Sequence, residues 1–185
     1  MNLLTLCGSL RARSSNKAML RATGQVAAER GIAVCHWESL AELPHFNPDH
    51  DNESLPPSVA RLRSAVSGAD CVVLSTPEYA HALPGAFKNA LDWLVSDPAI
   101  AGKPVAIVYA ERGSRWAVDS LCEVLRTLSA RIPEGAVVGL ALGSNDTSED
   151  AILGRPELRA GLVRCLDALA GGGENVETRK SGCDR

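Results

Sequence analysis

Along most of this chain, short apolar runs alternate with amphipathic stretches, the pattern of a parallel sheet covered on both faces. Leu3 to Cys7 reads as a buried first strand and passes at once into glycine and hydroxyl residues. A helix follows over about 16–29, with Met19, Ala22 and Val26 on one face and Gly31 placed to end it. A second strand is predicted over 32–37 and a third over 71–75, the latter apolar throughout, as suits a central strand. Fourth and fifth strands are predicted over 105–109 and 136–142. Pro56-Pro57-Ser58 opens a helix that turns Val59, Leu62 and Val66 inward. Further helices are expected after Pro84 (Phe87, Leu91, Leu94 inward), over about 116–128 (Val118, Leu121, Leu125, Leu128) and over 156–170 (Leu158, Leu162, Leu169). The proline- and acid-rich segment 42–57, with His45 and His50, reads as a long surface loop. Gly171-Gly172-Gly173 ends the last helix, and the polar remainder is expected to be a disordered tail. The organisation is therefore one domain over 1–170 and a tail over 171–185.

Five strands alternating with helices give a doubly wound α/β domain, and right-handed crossovers with this size favour the strand order 2-1-3-4-5. Ligands of such sheets bind beyond the carboxyl ends of the strands, beside the switch point between the first and third. The loops after Cys7, Ser75 and Tyr109 are thus where a site is expected.

Composition narrows the options without naming a function. At 185 residues, 45% hydrophobic and 22% charged, the chain can bury a core without metal or disulfide staples. A net charge of -3 gives no general pull toward nucleic acid or an anionic membrane surface. No apolar run reaches spanning length and the start lacks a signal-peptide pattern, so no membrane partner is expected. Six scattered cysteines, with no C-x-x-C pair and no zinc spacing, read as reduced thiols of a cytoplasmic protein.

The loop Cys7-Gly-Ser-Leu-Arg-Ala-Arg-Ser-Ser-Asn16 gathers hydroxyls and two arginines between a strand and a helix. A helix N-terminus offers free N–H groups and partial positive charge to an anion. Ser9, Ser14 and Ser15 add hydroxyls, Arg11 or Arg13 a forked contact, and Asn16 a cap. The loop is neither G-x-G-x-x-G nor G-K-[ST], which disfavours dinucleotide and NTPase sites. Without a magnesium ligand it suits a monophosphate ester. The same stretch also reads C-x5-R-S, the cysteine phosphatase pattern, with Cys7 as nucleophile, Arg13 as phosphate ligand and Asp97 as acid. The other reading of Cys7 is a small buried strand residue.

The segment after the third strand separates these readings. Pro77-Glu78-Tyr79, then Pro84-Gly85, Lys88-Asn89 and Asp92-Trp93, together with Gly8-Ser9, Arg11, Ser14 and Asn16, resembles the NADPH-dependent FMN reductase family. Gly102-Lys103-Pro104 continues the match. The resemblance implies a flavodoxin-like fold and an FMN-dependent oxidoreductase. Hydride from NADPH or NADH would pass through bound flavin to flavin, quinone or a similar small-molecule acceptor. It implies that Ser9, Arg11, Ser14 and Asn16, with neighbouring Ser15, hold the FMN phosphate, and that Pro77, Glu78, Tyr79 and the backbone of Ala80 line the flavin ring. Relatives are commonly dimers or tetramers, so a homodimer or homotetramer is expected, with Trp93 packing inside or at a subunit contact. Lys88 and Asp92, one turn apart, read as a surface pair.

Two departures from the family pattern stand out. Ala80 replaces the usual Asn, and His81, an exposed loop residue or an acid in substrate reduction, follows it. After the fourth strand the family's glycine-rich run is replaced by Tyr109-Ala-Glu-Arg-Gly-Ser-Arg115-Trp116, which is shorter and bulkier. That loop either swings away or lets Arg112 and Arg115 grip the NADPH phosphate. A non-catalytic flavin-binding relative would show the same change.

Overall fold

The computed structural model describes residues 1–111, 113–143 and 148–171. Its five parallel strands are β1 (Asn2–Cys7), β2 (Ala33–Trp37), β3 (Cys71–Ser75), β4 (Val105–Ala110) and β5 (Val137–Leu140), in the order β2-β1-β3-β4-β5. The register sets Cys7 beside Ser75, so β1 and β3 end level with each other at the switch point. Six α-helices are described: α1 (Ser15–Ala28), α2 (Pro57–Ser67), α3 (Gly85–Asp92), α4 (Trp116–Thr127), α5 (Glu149–Leu153) and α6 (Pro156–Ala170). Right-handed crossovers send α1 to one face of the sheet and α2, α3 and α4 to the other. Helix α6 returns beside α1, against β4 and β5.

The predicted order 2-1-3-4-5 and the inward residues of each predicted helix are observed, including buried Met19, Ala22, Val26, Val59, Leu62, Val66, Phe87 and Leu91. Strand β5 is shorter than expected because Leu142 N–H turns back to the Leu140 carbonyl at 2.8 Å. Helix α5 escaped sequence reasoning because one turn with a single buried residue, Ile152, has no periodicity to read. Ser148 caps it by accepting from Ala151 N–H. The expectations for Gly172 to Arg185 and for Arg112 lie outside the described residues.

The long loop between β2 and α2 contains two 3-10 turns, Leu40–Glu42 and Pro48–His50, and is tied down by the residues of α3. Asn89 accepts from Phe46 N–H at 2.7 Å and donates to the Pro44 carbonyl at 2.9 Å. Trp93, fully buried, donates from Nε1 to the same carbonyl and meets Phe46 edge-on. Trp93 is therefore packing within the subunit, not a subunit contact. Lys88 and Asp92 form the expected exposed pair, worth a few tenths of a kcal/mol at most, about 0.5. Lys103 of the Gly-Lys-Pro stretch donates to the Ala69 carbonyl, tying the entry of β4 to that of β3.

One further tie anchors this loop. Arg63 on α2 donates to Asp51 at 2.8 Å, to the Trp93 carbonyl from two nitrogens, and to Ser96. Ser96 in turn donates to Asp51 at 2.5 Å. The Ser96 hydroxyl first, then the Arg63 guanidinium, hold the Asp51 carboxyl below its ordinary value of 3.8. A carboxyl whose native pKa is lowered contributes stability above 3.8 and loses it as pH falls through the native value. Arg63→Ala should thus cost about 2 kcal/mol in urea unfolding at neutral pH. The gap between wild type and Asp51→Asn should close as pH falls below 3.8. A gap independent of pH would show that the charge of Asp51 contributes nothing.

Candidate functional site

The site begins where β1 runs out. Gly8 N–H donates to the Ser75 carbonyl at 2.7 Å, carrying the sheet's pairing one residue past the strand end. A Cβ at Gly8 would lie 2.4 Å from Thr76 Oγ1 and 2.9 Å from Phe87 Cγ, so no larger residue fits without displacing both. The close approach brings the loop after β1 against the loop after β3. Between them, and reaching the end of β4, lies an open cleft of about 290 Å³.

Ser9, Arg11, Ser14, Ser15 and Asn16 form one wall. Ser9 is 4% exposed, and its Oγ accepts from Arg11 N–H, which tightens the turn. The N-cap of α1 is Ser14, whose Oγ accepts from Lys17 N–H, and not Asn16 as expected. Asn16 lies within the first turn and is 6% exposed; its Oδ1 accepts from the buried Ser75 hydroxyl at 2.8 Å. Its amide nitrogen donates to no group among the described residues, yet it is not sealed from the cleft that the side chain lines. The first-turn N–H groups of Ser15 and Asn16 have no helical partner. The wall thus presents neutral donors at the positive end of a helix. Arg11 borders the cleft and ion-pairs with no described carboxylate, whereas Arg13 is exposed and does not line it.

Thr76, Pro77, Glu78 and Tyr79 form the second wall. Tyr79 and Ala82 exchange backbone hydrogen bonds at 3.1 and 3.0 Å around a two-residue turn. Ala80 and His81 both have positive φ there, 50° and 57°, as a mirror-image hairpin turn requires and as non-glycine residues seldom allow. The turn carries Ala80 away from the cleft, which it does not line.

The third wall is Tyr109, Ala110, Ser114, Ala117 and Val118, none of which sequence reasoning selected by role. Arg115, the residue before α4, makes no side-chain cap. Glu78 supplies that function from the neighbouring loop. Its carboxylate accepts from Ala117 N–H at 3.0 Å and from the Ser114 hydroxyl at 2.6 Å. The Ala117 N–H first, then Ser114, hold the Glu78 carboxyl below its usual range. His81 stacks on Trp116, ring centroids 5.7 Å apart and 24° from parallel. The bulky loop after β4 therefore does not swing away: Glu78 and His81 fasten it to the loop after β3. Arg115 lies over the Tyr109 ring, 5.4 Å from its centroid, and near Asp119 at 3.6 Å. Burial pushes the Tyr109 hydroxyl pKa up. Sequence pattern located the strand end but could not say which side chain would face the cleft.

Cys7 does not take part in this cleft. Its thiol lines an adjoining pocket with Thr5, Lys17 and His36, and burial raises its pKa above 9.0 despite the Ser9 N–H and Lys17. Asp97 caps a 3-10 turn at the chain's approach to β4, toward the amino ends of the strands and away from the cleft at their carboxyl ends. An acid and a lowered-pKa thiolate at one anion site are what the phosphatase reading needs, and the fold provides neither. Among the described residues lining the cleft, Glu78 is the one carboxylate and is already bonded to α4, and none is a histidine or a thiol. Its side chains can bind and orient a ligand but offer no acid–base pair.

Comparison with known proteins matches residues 1–144 to the model of the family described as NADPH-dependent FMN reductase. A quinone reductase of Escherichia coli K12 is 37% identical over 116 residues, 61% of this chain and 61% of that protein. An NADPH azoreductase of Bacillus sp. OY1-2 is 36% identical over 118 residues, 61% of this chain and 65% of that one. The matches thus span less than two thirds of these relatives' length. Among solved structures, the flavoenzyme NAD(P)H:(acceptor) oxidoreductase FerB of Paracoccus denitrificans superposes with a TM-score of 0.70 at 23% identity, covering 93% of this chain and 98% of that one. Oxidised flavodoxin 1 of Bacillus cereus superposes with 0.60 at 17% identity, covering 90% and 98%. At these identities the structures speak for a shared flavodoxin-like fold. The family match covers most of the chain: this protein belongs to the NADPH-dependent FMN reductase family.

Proposed function

We propose that the cleft binds FMN and that the protein is an NAD(P)H-dependent oxidoreductase acting on flavin, quinone or similar small acceptors. The observation that carries this reading is Asn16. A nearly buried amide, held by Ser75 and with its free nitrogen toward the cleft at an open helix N-terminus, fits a phosphate monoester. Ser9, Ser14 and Ser15 would add hydroxyl donors, and Arg11 the compensating charge. Thr76, Pro77 and Tyr79 would flank the flavin ring, with Tyr109 on the remaining wall. FMN, when bound, supplies the hydride chemistry that no side chain of the cleft can supply. The protein's own share is to fix the phosphate, hold the ring's orientation through two fastened loops, and leave one side open. Glu78 acts within this scheme by its carboxylate on α4, which sets the position of Ser114 and Ala117.

The rest of the reading follows from the same family. NADPH or NADH would be the electron donor. Names of relatives include quinone reductase and azoreductase, which favours planar acceptors. We place the protein in the cytoplasm, a reading supported by five described cysteines that are all free thiols. No described helix is long and apolar enough to cross a membrane. A homodimer or homotetramer is proposed because the cleft, at the small end of ligand sites of roughly 300 Å³ and upward, leaves room for a second subunit to cover the ligand. Leu10 and Val95, 54% and 63% exposed, are apolar groups available to such a contact.

Fluorescence titration of FMN tests the site. Arg11→Ala should weaken binding by roughly tenfold or more, and Arg13→Ala by no more than about twofold. The reverse order would refute the assignment. Anaerobic NADPH should bleach the bound flavin in a stopped-flow trace, and an unbleached spectrum would identify a non-catalytic relative. Iodoacetamide at neutral pH, followed by peptide mass mapping, should modify exposed Cys35 well before Cys7. Cys7→Ser should leave flavin reduction intact, and a Cys7 that alkylated first would reopen the phosphatase reading.

A further inference from the structure

The loop that replaces the family's glycine-rich run leaves an aromatic surface beside the cleft. Trp116 is 60% exposed although it begins a helix whose next residues are buried. His81 lies against one face of its ring in near-parallel stacking. Backbone strain accompanies this placement: His81 reaches Trp116 from a turn in which two successive non-glycine residues take positive φ. Such conformations cost free energy and persist where the surroundings impose them. Glu78, three residues before His81, bonds the N–H of Ala117, the residue after Trp116. The two rings are therefore held by the same clamp that shapes the cleft, and Tyr79, 51% exposed and in the same hairpin as His81, lines that cleft.

An exposed indole, stiffened by a stacked imidazole and set at the rim of a ligand cleft, offers a flat π surface with little entropy left to lose. We propose that His81 and Trp116 form a shelf that stacks the ring of flat aromatic acceptors as they enter the cleft, and so favour quinone-like acceptors over acceptors without a planar face. The inference rests on the oxidoreductase reading above and adds to it the residues that select the acceptor. Neither residue lines the cleft itself, and the Glu78 carboxylate still holds Ser114 and the Ala117 N–H when either ring is removed, so FMN affinity should change much less than the quinone KM.

Steady-state kinetics of the FMN-loaded protein would compare 1,4-naphthoquinone with ferricyanide, which has no flat face. In Trp116→Ala the KM for the quinone should rise about tenfold with kcat little changed, as loss of one stacking contact implies. Ferricyanide kinetics should change far less than the quinone KM, with FMN affinity kept close to wild type by the remaining Glu78 tie, and Trp116→Phe should recover most of the quinone KM. An independent readout uses FMN-free protein: saturable quenching of tryptophan fluorescence by naphthoquinone should be lost in Trp116→Ala, while buried Trp93 still emits. A rise in the KM for NADPH instead would assign the shelf to the nicotinamide ring and overturn the acceptor assignment. Equal effects on both acceptors, or dissociation to monomers on gel filtration without a change in selectivity, would overturn it too. Wild-type protein that neither retains FMN nor oxidises NADPH would contradict the oxidoreductase reading; the quenching experiment still reports on the shelf in that case. If Trp116→Ala does not fold, His81→Ala serves in its place, with a smaller rise expected in the same KM.

Discussion

Everything about the cleft depends on how closely the ends of β1 and β3 approach. Gly8 bonds Ser75 across that gap and leaves no space for a side chain against Thr76 and Phe87. The buried Ser75 hydroxyl then reaches Asn16, in the first turn of α1, and fixes its amide. A single contact zone thus sets the loop after β1, the start of α1 and the start of the second wall relative to one another. Parallel strands in level register make this possible, because both chains leave the sheet at the same height and in the same direction. Helix N–H groups beside buried hydroxyl and amide groups are the kind of donor set that suits an anion, to which Arg11 would add the charge.

The second constraint is the fastening of the loop after β4. A glycine-rich loop can bring its backbone close to a ligand, whereas Tyr109, Arg115 and Trp116 cannot make so close an approach. Here the loop is held at a distance by side chains instead. Glu78 caps α4 from another loop, and His81 stacks on the first residue of that helix. Both contacts originate in the short hairpin after β3, so that hairpin governs two walls at once. Tyr109 fills part of the space that small residues would have left, and Gly139 on β5 accommodates it: a Cβ there would lie 2.9 Å from the Tyr109 hydroxyl.

Much of this was legible in the sequence, for reasons that differ by element. Strands β1, β3 and β4 are short apolar runs with no competing reading, and the alternation with helices left few topologies. The loop after β1 stood out because hydroxyls and arginines cluster where a strand passes into a helix, and the structure places Ser9, Arg11, Ser14, Ser15 and Asn16 on one wall of the cleft. Trp93 and Asn89, by contrast, belong to the family pattern for a structural reason that only the fold reveals: both hold the Pro44 carbonyl and so the long loop after β2. Asn16 was expected to cap α1, but sequence spacing cannot distinguish an N-cap from a residue two positions later when serines fill the intervening places. The role of Glu78 was beyond reach for another reason. Its partners, Ser114 and the Ala117 N–H, lie more than 35 residues away, and no local pattern announces a cap supplied across loops.

The most direct test is a crystal structure of the protein grown with FMN. The phosphate oxygens should lie within hydrogen-bonding reach of Ser9, Ser14 and the Asn16 amide, with the flavin ring beside Tyr79 and Tyr109. A phosphate bound instead in the adjoining pocket beside Cys7 and Lys17, or a ring lying away from the loops after β3 and β4, would contradict the account.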